Sequence, residues 1–251
     1  MPSILSVHSF RGGTGKSNTS ANIAALLALN GSRVAVVDTD ILSPGIHVLF
    51  RMERGDIKRT LNDYLWGKCK IEEAAYDVAS HLDGPVRGQI YLVPSSVKAE
   101  DIARILREGY DVGLLNDGYQ RLIDILNLDV LVIDTHPGLN EETLLSIAIS
   151  DALIIVMRPD QQDYQGTGVT VEVARKLNVP KMVMVVNKVP AQFNTAQVKE
   201  KVEATYGTEV AAVLPHSDEM MTLASSGVFV LKYPQHPVTV ALQGLVCRLM
   251  Q

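Results

Sequence analysis

The chain has 251 residues, of which 47% are hydrophobic and 20% are charged, as in globular proteins with one sizeable core. Its formal net charge of −5 argues against a uniformly basic nucleic-acid-binding protein, and Cys69 and Cys247 show no metal-binding or redox spacing. The amino terminus lacks the pattern of a signal peptide, and no apolar run approaches the roughly 20 residues that span a bilayer. We therefore expect a single cytoplasmic domain over residues 1–251.

Short apolar runs alternate with helical patterns along the chain. The runs predicted as strands cover residues 4–10, 33–38, 89–94, 130–134, 152–157, 181–187 and 209–215. The helical patterns cover residues 16–30, 98–108, 113–126, 140–149, 163–177 and 195–206. Because the strands are continuous Val/Ile/Leu runs, they are predicted to be buried on both faces of a doubly wound, mainly parallel α/β sheet of about seven or eight strands. Residues 51–88 have the weakest pattern, and we expect helices packed over the sheet edge there.

The first strand is followed by a glycine-rich loop, SFRGGTGKSN, at residues 9–18. Its glycines allow backbone N–H groups to approach an anion closely, and the helix that follows adds its positive N-terminal dipole. Lys16 can reach the β- and γ-phosphates of a nucleotide, and the Ser17 hydroxyl can bind Mg²⁺. The strand before the loop and the helix after it favour this function over a glycine turn without a ligand. The residues predicted to bind phosphate are Gly12, Gly13, Thr14, Gly15, Lys16, Ser17 and Asn18.

The segment RGGTGKS resembles the deviant Walker A loop of the MinD/ParA ATPases, whose pattern is K-G-G-x-G-K-[TS]. In that family the first lysine reaches across a dimer to the phosphates of the partner's ATP, and here Arg11 stands at its position. The family requires no glycine where Phe10 stands. The resemblance implies a P-loop NTPase fold, ATP and Mg²⁺ as ligands, and an ATP-dependent homodimer. It covers essentially the whole chain, because later motifs follow in the expected order.

Two strands of the predicted sheet end in aspartates. Asp38 and Asp40 lie two residues apart in VVDTD, so their side chains face the same side of an extended strand. The resemblance makes Asp40 the catalytic aspartate, which orients water or organises Mg²⁺, and gives Asp38 a role in supporting the loop. The alternative is that both aspartates only cap the following turn. In VLVIDTHPGL, Asp134 matches a Walker B residue that holds Mg²⁺ through water.

The same resemblance assigns further residues around the nucleotide. Gly138 would sense the γ-phosphate through its N–H, as part of switch II. The family usually has a small residue where His136 stands, so we interpret His136 as a structural or tuning residue rather than a catalytic base. The amide of Asn187 offers the donor and acceptor that an adenine edge requires, and the Pro215 backbone is expected to contact the same base.

Two arginines are candidates for contacts with the nucleotide of a partner subunit. A guanidinium suits bidentate phosphate contacts, so we expect Arg11 to keep the cross-dimer contact, with slow turnover. Arg158 ends a predicted strand and faces either the nucleotide or the dimer seam, unless it forms only a surface salt bridge.

Partner surfaces have weaker signals. Residues 175–201 carry several basic side chains and one acidic side chain, Glu200, which permits non-specific DNA binding, although a solvated helix face explains the pattern equally well. The basic residues are Arg175, Lys176, Lys181, Lys188, Lys199 and Lys201. The last segment, VTVALQGLVCRLMQ, carries one apolar stripe and reads as a helix docked on the core rather than a direct membrane anchor.

The sequence thus favours an ATPase switch that dimerises on Mg-ATP, is released by hydrolysis and positions a large cargo with an adaptor protein. A nucleotide-locked scaffold with little turnover is the alternative that the Arg11 replacement suggests. A metal-cluster carrier of the same superfamily would need a paired cysteine motif near its C-terminal half, which Cys247 alone does not supply. A ligase or small-molecule kinase would need an acceptor pocket, for which the sequence gives no signal.

Overall fold

The structure, a computed structural model, describes residues 2–251. The strands are β1 (Ser3–His8), β2 (Arg33–Asp38), β3 (Tyr76–Asp77), β4 (Gln89–Val93), β5 (Val130–Asp134), β6 (Ala152–Met157), β7 (Lys181–Val189) and β8 (Glu209–Pro215). The helices are α1 (Lys16–Leu29), α2 (Ile46–Leu49), α3 (Leu61–Leu65), α4 (Ala99–Glu108), α5 (Gly113–Leu126), α6 (Glu141–Ala148), α7 (Gln161–Lys176), α8 (Thr195–Tyr206), α9 (Asp218–Leu223), α10 (Phe229–Lys232) and α11 (Pro237–Leu249). Short 3₁₀ turns cover Ile71–Ala74 and Ala79–His81.

The strands form one sheet in the order β3-β4-β2-β5-β1-β6-β7-β8. Every neighbouring pair is parallel except β3 and β4, which are antiparallel. The predicted doubly wound, mainly parallel α/β sheet is therefore confirmed. All residues of β5 and β6 are buried, as expected for Val/Ile/Leu strands covered by helices on both faces.

The order of the strands fixes the position of the site. Strand β1 lies between β5 and β6. Strands β2 to β5 therefore lie on one side of β1, and β6 to β8 lie on the other side. Ligands of open α/β sheets bind at such a switch point, outside the carboxyl ends of the strands. The glycine loop leaves the carboxyl end of β1 at this point and leads into α1.

Helix α1 is buried over most of its length, which explains its composition. Its sequence, KSNTSANIAALLAL, places small alanines and serines where the helix contacts β1, β2, β4 and β5. It also contacts α10 and α11 from the C-terminal part of the chain. A helix that is covered on several sides has little need for a polar face, so its apolar residues are not confined to one stripe.

Two regions test the sequence predictions outside the central strands. Residues 51–88 contain the short helix α3, the two 3₁₀ turns and the antiparallel edge strand β3, whereas we expected only helices over the edge. A two-residue strand is too short to give an alternating pattern, so the sequence carried no signal for it.

Helix α11 packs on β8 and α1, with Val238, Leu242 and Leu245 buried. Within residues 2–251, no helix combines the length and apolar character that crossing a membrane requires.

Candidate functional site

The glycine loop follows β1 and has little freedom at Gly15. This residue has a φ of 95°, in the left-handed region that favours glycine. A Cβ atom added to Gly15 would lie only 2.3 Å from Nδ2 of Asn187. By contrast, Cβ atoms added to Gly12 and Gly13 would meet no atom within 4 Å among the described residues. The outer part of the loop is therefore open, while its inner part is held against the end of β7.

The end of β7 holds the loop through two side chains. Asn187 Nδ2 donates a hydrogen bond to the Thr14 carbonyl at 2.8 Å, and Lys188 Nζ donates to the Gly13 carbonyl at 2.8 Å. These bonds occupy carbonyl groups of the loop, so the loop N–H groups are free to face an anion. Lys188 has a φ of 57°, which is uncommon for a residue with a side chain and marks a constrained turn.

The predicted aspartates meet below the loop. Asp38 and Asp134 are direct partners in the register of β2 and β5. Lys16 Nζ lies 2.9 Å from Asp134 Oδ1, and the Ser20 hydroxyl donates to the same oxygen at 2.8 Å. Both charged side chains are almost fully buried, so in this state the lysine and the aspartate neutralise each other.

Asp38 is completely buried beside this ion pair. Burial raises the pKa of Asp38 well above its ordinary value, and the nearby Asp134 carboxylate raises it further. Asp38 Oδ1 accepts the backbone N–H of Asp40 at 3.0 Å, which shapes the turn after β2. The predicted supporting role of Asp38 thus has a defined contact, although its contribution to activity stays a prediction.

Asp40 lies at the edge of the buried cluster, next to His136. His136 Nδ1 lies 2.7 Å from Asp40 Oδ1, and both side chains are only partly buried. The sequence indicated a structural or tuning role for His136 but did not predict this contact.

A second histidine, His8, is buried at the end of β1. Its Nδ1 lies 2.8 Å from the Thr135 hydroxyl, which donates its own proton to the Val7 carbonyl. His8 Nδ1 is therefore the donor in this pair. Burial is the main cause that lowers the pKa of His8 to about 3, and the nearby charge of Lys16 adds to it. His8 stays neutral in the folded protein at ordinary pH.

The N-terminal part of α7 packs against the other side of the glycine loop. The Phe10 ring lies against Gly166, where an added Cβ would come within 1.9 Å of Phe10 Cδ1. The Arg11 guanidinium donates to Oε1 of Gln162, one turn earlier in the same helix. The sequence showed that Phe10 departs from the strict loop pattern, and the structure shows that the ring anchors the loop on α7.

Two other predicted residues are engaged within the chain. Gly138 donates its N–H to the Ser9 carbonyl at 3.1 Å, so the segment predicted to be switch II is bound to the glycine loop. Arg158 binds Asp163 through its backbone N–H and its guanidinium, and it also lies 3.2 Å from Asp160. Arg158 thus forms the intramolecular salt bridge that was the alternative to a nucleotide contact.

A cavity of about 230 Å³ opens on the flank of the loop. Gly15, Asn18, Asn187 and Pro215, which the sequence predicted as nucleotide contacts, all line it. The opposite wall comes from α9 and the turn after it. This wall, which the sequence did not predict, is formed by Ser217, Met220, Met221, Ala224 and Ser225. Its apolar character and size suit a flat aromatic base beside the Asn187 amide.

The basic residues of 175–201 lie on α7, β7 and α8. Lys181 and Lys188 lie near opposite ends of β7, with Lys181 bound to the Arg248 carbonyl and Lys188 bound to the loop. Arg175 donates to the Tyr206 carbonyl. These three side chains have hydrogen-bond partners within the chain. DNA binding by residues 175–201 stays a prediction.

The donor set fits a magnesium nucleotide. Asp134 has a buried Oδ2 atom that meets no hydrogen-bond donor among residues 2–251. Carboxylate oxygens and a Ser17 hydroxyl at the start of α1 are ligands that Mg²⁺ prefers. The open glycine cradle, the lysine and the adjacent cavity provide separate places for phosphates and base.

The chain was compared with known families and proteins. The model of the family described as CobQ/CobB/MinD/ParA nucleotide binding domain matches residues 5–230. The chain is 28% identical over 247 residues to an uncharacterized ATP-binding protein of Methanocaldococcus jannaschii, covering 98% of this chain and 87% of that protein. It is 22% identical to the septum site-determining protein MinD of Bacillus subtilis, covering 100% of this chain and 90% of that protein.

A solved structure shows the same fold. The septum site-determining protein MinD of Pyrococcus horikoshii, complexed with Mg-ADP, superposes with a TM-score of 0.81 at 22% identity. The match covers 99% of this chain and 96% of that chain. At this identity the likeness shows the fold alone.

Proposed function

The chain belongs to the CobQ/CobB/MinD/ParA nucleotide-binding family, and we propose that it is a MinD/ParA-like ATPase switch acting in the cytoplasm as one domain over residues 1–251. In this proposal Mg-ATP drives formation of a homodimer, the dimer binds an adaptor or a large cargo, and hydrolysis releases it. The MinD proteins that the chain resembles are named for determination of the septum site, which supports positioning of a large assembly as the class of task.

One observation carries the proposal: the cavity, the glycine loop and the carboxylates form one continuous site around Lys16. Gly15 and Asn187 border the cavity on one side of the loop. Lys16 contacts Asp134 below the loop at 2.9 Å, and Asp134 pairs in register with Asp38. The base, the phosphate chain and the hydrolysed bond of a nucleotide follow one another in the same order, so one nucleotide can occupy all three parts of the site.

Each residue has a distinct proposed role. Lys16 binds the β- and γ-phosphates after it leaves Asp134, and Ser17 with Asp134 holds the metal ion. Asp40 orients the attacking water, or organises the metal shell as a further ligand. When bound, Mg²⁺ neutralises phosphate charge. Asn187 uses its second amide hydrogen and second oxygen lone pair for adenine, because the first of each is engaged with Thr14 and Lys188.

Arg11 is the residue proposed to act across the dimer. In the single chain its guanidinium binds Gln162, so it must leave this partner to reach the phosphates of a second subunit. The site is then complete only in the dimer, which links nucleotide binding to assembly. Arg158 is already paired with Asp163, which favours Arg11 over Arg158 for this contact.

The test is molar mass by light scattering, in Mg-ATP and then in Mg-ADP. We expect a dimer in ATP that dissociates in ADP. Arg11→Ala should weaken the ATP-dependent dimer, because the contact with the partner's phosphates is lost. Arg248→Ala is the matched control, since Arg248 pairs with Glu209 near the amino ends of β7 and β8, far from the loop. A mass that ignores the nucleotide would contradict the switch.

A nucleotide-locked scaffold is the second candidate, and a specific observation favours it. Arg11, the residue proposed to complete the site of a second subunit, is held by Gln162 within its own chain. Normal ATP binding with almost no phosphate release would support the scaffold. Phosphate release that rises with an added partner would support the switch.

A further inference from the structure

The pair formed by Asp40 and His136 follows from the register of two strands. Asp38 of β2 and Asp134 of β5 are direct neighbours, and Asp40 and His136 each lie two residues further along their chains. Because the strands are parallel, equal steps beyond their ends bring the two side chains next to each other. His136 Nδ1 and Asp40 Oδ1 are 2.7 Å apart.

The backbone on both sides of the pair is fixed by hydrogen bonds. Thr39 donates to the Asp134 carbonyl twice, from its N–H at 3.0 Å and from its hydroxyl at 3.1 Å. The Asp40 N–H binds Asp38 Oδ1, and the Thr135 N–H binds the Val7 carbonyl at 3.2 Å. Neither segment can shift without breaking several of these bonds, so the two side chains are held at one separation.

The direction of the hydrogen bond decides what the histidine does. Asp40 Oδ1 is an acceptor, so His136 presents a proton on Nδ1. This bond occupies one carboxylate oxygen and fixes the plane of the group, which leaves Oδ2 for another partner. The side chains are 21% exposed for His136 and 12% exposed for Asp40, so the pair lies where the buried cluster meets the surface of the site.

We propose that His136 is a positioning residue for hydrolysis, which holds the Asp40 carboxylate in the orientation that directs the attacking water. This inference rests on the proposed role of Asp40 in ATP hydrolysis. His136 acts through Asp40 and has no contact of its own with the reacting atoms. Loss of the bond lets the carboxylate rotate, and misorientation of a group that acts on a reactant reduces the rate of the chemical step rather than binding.

The experiment compares variants at His136 by ATP binding and by steady-state phosphate release. His136→Ala should lower kcat on the order of 10- to 100-fold, the range found when a partner that orients an active-site ligand is removed. The dissociation constant for ATP should stay within about threefold, because uniform binding is not changed. His136→Asn places an amide N–H near the position of Nδ1 and should restore most of kcat. His136→Gln places it near Nε2 and should not.

A double-mutant cycle separates positioning from a general structural role. In an Asp40→Ala background, His136→Ala should cause no further loss of kcat, because its only target is already absent. A further loss of similar size in that background would overturn the inference, as would a kcat unchanged by His136→Ala. If His136→Ala does not fold, the test is the comparison of kcat between His136→Asn and His136→Gln. Equal kcat values for these two variants would overturn the inference.

The same cycle distinguishes this inference from the proposed function. If Asp40→Ala turns over ATP normally, the proposed role of Asp40 fails, and the inference fails with it. If Asp40→Ala is impaired while His136→Ala is not, the ATPase assignment stands and only the positioning role is wrong.

Discussion

Gly15 combines two separate restrictions in one residue of the loop. Its φ of 95° costs a residue with a side chain about 1–2 kcal/mol, and an added methyl group would also lie 2.3 Å from Asn187 Nδ2. We expect Gly15→Ala to lower the free energy of unfolding of the nucleotide-free protein by about 2 kcal/mol or more.

Gly12→Ala is the control for this prediction. Gly12 has no positive φ, and an added Cβ meets no atom of the described residues within 4 Å. Denaturant unfolding without nucleotide should show a change within about 0.5 kcal/mol for this variant. Equal losses in both variants would mean that the contact with Asn187 is not what restricts the loop.

His8 gives a pH dependence whose sign follows from its environment. Its pKa is lowered from 6.5 to about 3 on folding, so in this range the unfolded chain binds a proton that the folded chain does not. The stability of the folded state therefore falls as the pH falls from 6.5 towards 3. The contribution of His8 is a loss of about 2 kcal/mol between pH 7.5 and pH 5.

The measurement compares wild type with His8→Asn, which keeps an N–H donor for Thr135 but does not titrate. The raised pKa of Asp38 acts in the opposite direction on acidification, so only the difference between the two proteins isolates His8. Unfolding curves at both pH values should show a smaller acid loss in the variant. An equal loss would show that His8 is not the group responsible.

Single residues divide into those that the sequence revealed and those that it did not. The glycines, Lys16, Asp40, Asp134 and Asn187 stand in patterns whose chemistry can be read locally, and the structure brings them into one site. Gln162 and the methionines of the cavity come from distant segments without a motif. Only the fold brings these residues to the loop, so local sequence carries no signal for them.

Helix α7 packs on β6 and also contacts the glycine loop, so it connects the loop to this part of the sheet. Gly166 and Gly168 lie two residues apart in this helix, but only Gly166 faces the Phe10 ring, at 1.9 Å from an added Cβ. Gly166→Ala should push the ring and the adjoining loop away from the helix. We expect a loss of about 1–3 kcal/mol in stability from overpacking, together with weaker ATP binding.

Gly168→Ala is the matched substitution in the same helix. The nearest atom to its added Cβ is Tyr206 Cε1 at 3.8 Å, an ordinary contact. It should stabilise the protein by about 0.5–1 kcal/mol, because alanine is the better helix former. Calorimetric titration measures the affinity for ATP of both variants. The same measurement is made on the double variant that combines Gly166→Ala with Phe10→Ala. Full recovery of wild-type affinity in the double variant would contradict the anchoring role of Phe10, because that variant has no ring to hold the loop.

At the scale of elements, the sequence predicted the long central parts best. Continuous apolar runs identified seven of the eight strands seen in residues 2–251, and the helix between the loop and β2 ends one residue earlier than predicted. Strand β3 and helices α9 and α10 are too short to have a period of their own. Contacts with larger elements determine these short pieces, and a local pattern does not contain those contacts.

For the molecule as a whole, the arrangement of the sheet places the candidate nucleotide site and Arg11, the residue proposed to contact a second subunit, at the same end. Strands β1, β2 and β5 deliver the loop and the carboxylates, and β7 with β8 delivers the cavity. Arg11 leaves the same end, next to α7. A second subunit that faces this end would cover the phosphates, and in the proposed switch the state of the nucleotide would then control whether two chains stay together.

Asp40→Ala tests this coupling in the complete protein. The substitution removes the carboxylate that we propose directs water but leaves the loop, Lys16 and Arg11 intact, so ATP should still assemble the dimer. Because hydrolysis is slowed, the dimer should persist after wild type has consumed its ATP and returned to monomer. Light scattering followed over time after a limited dose of Mg-ATP measures both the assembly and the decay.

Asp124→Ala is the control for this experiment, since Asp124 is exposed on α5 and takes no part in the site. This variant should assemble and decay like wild type. Faster dissociation of Asp40→Ala than of wild type in ATP would mean that Asp40 stabilises the dimer rather than limiting its lifetime. Persistence of the Asp40→Ala dimer in ADP would mean that the nucleotide does not control separation, because an interface that ignores the γ-phosphate cannot be released by hydrolysis.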